Sequence, residues 1–233
     1  ATIFRDKYAN SPYETWNELA YRVVENVCAD RVSPEEKQQI IKLIEDRKFI
    51  PGGRYLYAAG REFHAVNNCY LFRAEDSREG WAELLSNATM ALMTGGGIGV
   101  DYSDIRPNGS LVRKTGGVAT GPISLMKAVN EVGRQVIQGG QRRSAIWAGL
   151  VWDHADIFDF LKLKNHSPQL RALKENDLTF PLPMELTNIS VIYDARFFEA
   201  IENKDHPQHD HAKTVWHLNV EQACATAEPG FSI

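Results

Sequence analysis

The feature that most restricts how this chain can fold is its rhythm after Pro51. From the breaker Pro51-Gly52-Gly53 onward, short apolar runs alternate with amphipathic stretches of helical period. Strands are predicted at Asn68 to Phe72, Ile98 to Tyr102, Ala145 to Trp152 and Asn188 to Tyr193. Helices are predicted at Ser77 to Met93, Pro122 to Ile137, Ala155 to Lys164, Ala195 to Glu202 and Val215 to Ala227. Parallel strands need a long crossover, and a helix between successive strands supplies one, so the pattern predicts an α/β domain with a largely parallel sheet. Gly121-Pro122 reads as a helix start and Gly95-Gly96-Gly97 as a helix stop. Lys164 to Pro183 has no clear period and reads as a long loop.

Upstream, two start signals predict a pair of helices. Ser11-Pro12-Tyr13-Glu14 and Ser33-Pro34-Glu35-Glu36 each offer a Ser N-cap, a Pro at the first helical position and a Glu at the capping-box position. Trp16, Leu19, Ala20, Val23, Val24 and Val27 recur at helical spacing after the first, and Ile40, Leu43 and Ile44 after the second. The expected organisation is a helical subdomain over residues 1–50 and an α/β domain over residues 51–233.

Composition excludes several classes of function. With 43% hydrophobic and 24% charged residues, the 233-residue chain can bury a core, and its net charge of −4 gives no footprint for nucleic acid. No apolar run approaches the roughly 18 residues that cross a bilayer, so no membrane partner is expected. Ala1 to Asp6 is not a signal peptide. Three scattered cysteines, Cys28, Cys69 and Cys224, make no disulfide framework, and a reducing cytoplasm is the expected location.

Four segments could carry chemistry. In Asn67-Asn68-Cys69-Tyr70-Leu71-Phe72 a cysteine opens an apolar strand, either as a small buried hydrophobe or as a redox or nucleophilic thiol at a strand end. In Thr94-Gly95-Gly96-Gly97-Ile98-Gly99-Val100 the glycines either let backbone approach a ligand or simply cap a helix and turn. The run fits neither the dinucleotide fingerprint nor the Walker loop. Gln138-Gly139-Gly140-Gln141-Arg142-Arg143-Ser144 pairs guanidinium groups with glycines, which suits phosphate or base recognition as well as a solvated connection. His206-Pro207-Gln208-His209-Asp210-His211 could ligate a metal, but it lacks an apolar frame and reads as a solvated loop; no metal site is expected.

In order, Asn67-Asn68-Cys69, Gly95-Gly96-Gly97-Ile98-Gly99, Ser103-Asp104-Ile105-Arg106-Pro107-Asn108-Gly109, Gly116-Gly117-Val118-Ala119-Thr120-Gly121-Pro122, Arg142-Arg143-Ser144-Ala145 and Glu228-Pro229-Gly230 resemble the motifs of ribonucleotide reductase catalytic subunits of the adenosylcobalamin-dependent class II. The resemblance runs from about Phe49 to the end of the chain. It implies the first half of a ten-stranded α/β barrel, whose ribonucleotide substrate is reduced through a thiyl-radical cysteine on a finger loop. Cys69 matches the first of two redox cysteines, and Asn68, Gly96 and Gly97 match positions around the ribose. Tyr55 stands where a small hydroxyl residue near the substrate would be expected. Asp76, Ser77 and Arg106 fall at the effector site for a deoxynucleoside triphosphate. Gln138, Gln141, Arg142, Arg143 and Ser144 fall in the loop that relays effector identity to the substrate base.

The resemblance further implies a homodimer through the Ser77 to Met93 helix, because only Val100-Asp101-Tyr102 separate the glycine run from the Ser103 motif. A thioredoxin-like or other dithiol reductant is implied. The family's radical cysteine, its second redox cysteine and its phosphate loop lie beyond Glu-Pro-Gly. The chain is therefore expected to work with a C-terminal half on a separate chain, and without the ATP-cone activity switch. Cys224 and Cys28 are expected in the core. Class I enzymes share the barrel but take their radical from a metallo-subunit. The competing readings are a deoxynucleotide-sensing module that has given up the chemistry, and a metal hydrolase built on His206, His209 and His211.

Overall fold

A computed structural model describes residues 2–62, 65–112, 116–136 and 144–233. Contacts divide it into two compact units, Ala1–Asn68 and Cys69–Ile233. The first unit holds helices α1 (Thr2–Lys7), α2 (Trp16–Cys28), α3 (Pro34–Glu45) and α4 (Gly53–Ala58). Leu19 and Val23 on one side of α2 pack with Leu56 and Ala59, whereas Ala20 and Val24 on another side pack with Ile41 and Ile44 of α3. Helix α4 thus belongs to the helical unit, and the division falls after Asn68, later than the Pro51 breaker.

The second start signal forms as read: Ser33 and Glu36 close a reciprocal capping box with Pro34 at the first helical position. The first does not. Helix α2 begins four residues later, on a box of Thr15 and Glu18, and Ser11 instead carries a turn whose hydroxyl accepts from the Tyr13 amide at 3.3 Å. Both hydroxyls have a glutamate three residues on. The choice is made by Arg22, which takes Glu14 in a 2.6 Å ion pair and also donates to the carbonyls of Tyr8, Leu56 and Ala59.

In the second unit, β1 (Cys69–Arg73), α5 (Arg78–Met93), β2 (Gly97–Asp101), α6 (Gly121–Gln135), β3 (Ile146–Val151), α7 (Ile157–Leu161), α8 (Pro168–Asn176), β4 (Thr187–Ile192), α9 (Ala195–Glu202), α10 (His209–Thr226) and β5 (Gly230–Ser232) follow in order. The five strands form one sheet in chain order, every neighbour parallel. Crossovers of the usual right hand between strands laid down in sequence bring connecting helices to one face, and α5, α6, α7, α9 and α10 all contribute to the core there. On that face Ile98, Val100, Ile146, Ala148, Leu150, Ile189 and Val191 are buried with Leu84, Leu92, Leu125, Met126 and Val129 of α5 and α6. On the other face the strands alternate outward, and Leu71 is 77% exposed.

Several expectations are corrected here. The stretch from Lys164 to Pro183 contains α8, started by Ser167 as N-cap and Pro168, the same signal as at Ser33. It buries no residue, so no apolar period betrays it. The last helix begins at His209 rather than Val215, and the helix expected at Ala155 to Lys164 shrinks to the five residues of α7. Cys224 is exposed, not in the core, and Cys28 is half-buried. Helix α10 turns Ala212, Val215, Asn219 and Gln222 inward, leaving Val220 and Cys224 outside. Among the described residues no helix is long and apolar enough to cross a membrane.

Candidate functional site

The bare sheet face is where the sequence-identified thiol lies. Cys69 opens β1 opposite Gly97, and Leu71 lies opposite Gly99. Gly99 lies opposite Trp147, Trp147 opposite Asn188, Gly149 opposite Ser190, and Ser190 opposite Gly230. Because side chains alternate along a strand, these residues all share the face that the helices leave open. The Cys69 thiol is exposed. It stands at the amino end of its strand, whereas open parallel sheets ordinarily bind ligands at the carboxyl ends, so the strand end that carries the thiol is the opposite of the usual one.

Glycine clears the surface around it. A Cβ on Gly97 would stand 3.4 Å from Cys69 Sγ and 3.5 Å from Ala145 Cβ. One on Gly99 would stand 3.3 Å from both Leu71 Cδ1 and Trp147 Cε3. Gly96 points the other way, where a Cβ would come within 2.5 Å of the Tyr70 ring. The Trp147 indole lies over Gly149, whose Cβ would be 2.4 Å from its Cη2, and its Nε1–H donates to Ser190 Oγ at 2.9 Å. Trp147, Gly149, Asn188 and Ser190 were missed in the sequence; period-two alternation from Gly97 was the signal that could have found them.

The residues expected to bind an effector are partly placed. Arg106 Nε donates to Asp76 Oδ2 at 2.6 Å, a half-exposed pair that joins the loop after β2 to the turn after β1. Ser77 is the N-cap of α5, accepting from the Gly80 amide at 2.8 Å. Ser144 donates to the carbonyls of Gly133 and Val136 at 2.7 and 3.1 Å, tying the entry of β3 to the end of α6. Gln138, Gln141, Arg142 and Arg143 lie outside the described residues. Tyr55 lies on α4, packed against the core of the first unit, and Asn68 is the last residue of that unit.

The histidine run does not converge. His206 Nδ1 accepts from the Gln208 amide, His209 pairs with the Ala200 carbonyl, and His211 with the Trp152 carbonyl. Among the described residues no three His, Cys, Asp or Glu side chains are grouped to hold a metal. The Glu-Pro-Gly motif has a structural task instead. Glu228 accepts from the Ile189 amide at 2.8 Å and faces Lys164 at 3.4 Å, so its carboxylate fastens the lead-in of β5 to β4.

Comparison with known proteins bears on this site. The family model described as ribonucleotide reductase, barrel domain, matches residues 67–227. The vitamin B12-dependent ribonucleoside-diphosphate reductase of Thermoplasma acidophilum is 31% identical over 193 residues, covering 78% of this chain and 23% of that protein. Its namesake in Mycobacterium tuberculosis (strain H37Rv) is 31% identical over 178 residues, covering 72% and 25%. The ribonucleoside-diphosphate reductase large subunit of Plasmodium falciparum (isolate FCR-3) is 34% identical over 142 residues, covering 59% and 17%. The chain thus spans about a quarter of the length of the first curated relatives it matches. Among solved structures, the Actinobacillus ureae class Id ribonucleotide reductase alpha subunit superposes with a TM-score of 0.78 at 15% identity. That match covers 99% of this chain and 39% of the other, and the fold is accordingly that of part of the reductase barrel. With the barrel-domain model matched across most of the second unit, this chain belongs to the ribonucleotide reductase large-subunit family.

Proposed function

We propose that this chain supplies the first half of the active site of a ribonucleotide reductase, with Cys69 as one of two thiols that reduce a ribonucleoside diphosphate. The observation that carries the reading is an exposed thiol beside glycine-cleared backbone on a sheet face bare of helices. In the net reaction the ribose C2′–O bond breaks, the hydroxyl leaves as water, a C2′–H bond forms, and two thiols become a disulfide. The second thiol and the thiyl radical that initiates the chemistry come from the other half of the barrel. That half also covers the bare face, because radical intermediates must be kept from water and Leu71 lies 77% exposed there. A thioredoxin-like or other dithiol restores the thiols.

The relatives named vitamin B12-dependent support adenosylcobalamin as the radical source. When bound, that group would supply the initiating radical, while on the open face Asn188 and Ser190 offer an amide and a hydroxyl beside Cys69 for the substrate. Asp76, Ser77 and Arg106, with Gln138, Gln141, Arg142, Arg143 and Ser144, take a deoxynucleoside triphosphate whose phosphate displaces the Asp76 carboxylate from Arg106. Helix α5, with Met90 and Met93 exposed, supplies the homodimer surface beside that site.

The test is deoxynucleotide formation by the enzyme assembled with both halves of the barrel, supplied with adenosylcobalamin and a dithiol. Product that is formed by the wild type and lost in Cys69→Ser supports the reading. No product with any radical source, together with tight deoxynucleotide binding by this chain, would make it a sensor instead.

A further inference from the structure

Arg106 stands on the stretch of chain that leaves β2, and three side-chain hydrogen bonds tie that stretch to the one leaving β3. The Val151 amide donates to Ser103 Oγ at 3.0 Å, His154 Nε2 pairs with the Ile105 carbonyl at 2.8 Å, and the Asn108 amide donates to Asp156 Oδ2 at 2.9 Å. The last two flank Arg106, one residue before it and two residues after. The Ile105 side chain is itself buried in the core.

The roles of the two His154 ring nitrogens are fixed by their partners. A backbone amide can only donate, so Nδ1, which meets the Asp156 N–H at 3.0 Å, is the acceptor. Nε2 therefore carries the proton and donates to the Ile105 carbonyl, which can only accept. One buried ring thus joins Ile105 to Asp156. Asp156 is the N-cap of α7, yet its side chain makes no capping bond there; the carboxylate turns to Asn108 instead. Gly121, where α6 begins, makes room for that bond. A Cβ on it would come within 2.6 Å of Asp156 Oδ2 and 2.8 Å of the Asn108 nitrogen, and its φ of +71° is one that glycine takes without strain. Three segments of the chain thus meet at one hydrogen bond, which leaves the short helix uncapped and holds the Arg106 stretch.

We propose that His154 and Asp156 are positioning residues of the effector site: they hold the backbone on both sides of Arg106 and so fix where its guanidinium meets a triphosphate. The inference rests on the reading of Asp76, Ser77 and Arg106 as that site and adds to it the residues that aim the arginine. Backbone held in place before the ligand arrives need not be ordered on binding, so the charge-assisted bonds of Arg106 are realised as affinity.

The test titrates the enzyme assembled with both halves of the barrel with each of the four deoxynucleoside triphosphates by isothermal calorimetry, with urea midpoints read alongside. Arg106→Ala and Asp156→Ala are each expected to weaken binding about tenfold, the scale of one charge-assisted hydrogen bond. Asp156→Asn keeps an acceptor for the Asn108 amide and is expected to restore wild-type binding. Loss of a carboxylate would by itself tighten the binding of an anion, so weakening confined to the alanine variant reports the hydrogen bond and not the charge. In Arg106→Ala with Asp156→Ala the second change is expected to add nothing, because Asp156 acts through Arg106, whereas a merely structural residue would add its full effect. His154→Gln keeps a donor for Ile105 but lacks the Nδ1 acceptor; it is expected to weaken binding in the same direction, and it serves if Asp156→Ala does not fold. Wild-type affinity in either Asp156→Ala or His154→Gln, or an undiminished loss on top of Arg106→Ala, overturns the role of His154 and Asp156 and leaves the effector reading intact. Wild-type affinity in Arg106→Ala overturns the reading and the inference together.

Discussion

Replacing Asn130 by alanine probes how the β4 edge of the site is held. Asn130 is fully buried on α6, and its Oδ1 accepts from the Thr187 hydroxyl at 3.0 Å and from the Leu186 amide at 3.1 Å. These bonds lock the entry of β4, the strand that presents Asn188 and Ser190 to the open face. Asn130→Ala strands a buried hydroxyl and a partly buried amide. At about 1–3 kcal/mol for each donor left without a partner, the expected loss is about 3 kcal/mol. Removing the hydroxyl as well, in Asn130→Ala with Thr187→Val, eliminates one of the stranded donors. The double variant is therefore expected to recover about 1 kcal/mol relative to the sum of the single changes. Urea unfolding followed by far-ultraviolet circular dichroism measures both quantities. A single variant within about 0.5 kcal/mol of wild type, the range of an ordinary surface change, would refute the assignment of these bonds as the lock.

Two further outcomes follow from the local geometry. Thr15→Ala is expected to destabilise the first unit by about 1 kcal/mol, and Ser11→Ala by less than half of that, since only Thr15 closes a capping box; differential denaturation of the two variants checks it. Burial works to raise the Asp194 carboxyl, but hydrogen bonds from Arg196, the Trp152 indole and the Phe197 amide outweigh it and hold the group below its ordinary value of 3.8. A carboxyl depressed in the folded state stabilises above its unfolded value, and that contribution is lost as pH falls through the folded value. The urea midpoint should therefore drop as pH falls below 3.8, and Asp194→Asn should flatten that acid limb; an unchanged slope would refute it.

Much of the fold was legible because its signals are local. The strands of β1 to β4 and the helices α5, α6 and α9 fall within a residue or two of where period and caps put them. The glycine stop also forms, with Gly95 in the left-handed region at φ 83°. What escaped had no local signature. Helix α8 buries nothing, and β5 is three residues long. Cys224 was misplaced because α10 inverts the usual code, burying Asn219 and Gln222 and exposing Val220. Ser11 and Thr15 carry equivalent start signals, and a distant arginine chose between them.

The sequence by itself determined the alternation of strand and helix, the caps and the ordered motifs that mark the family, since each is written within a few neighbouring residues. Which face of the sheet stays open, and what stands on it, was decided only by the tertiary structure. Strand register is a relation between segments separated in the chain by whole helices, and it alone brings Cys69, Gly97, Gly99 and Trp147 side by side. A one-residue slip would turn every one of them into the helical layer, and what prevents it is burial of the opposite face, a property of the assembled sheet and not of any strand alone.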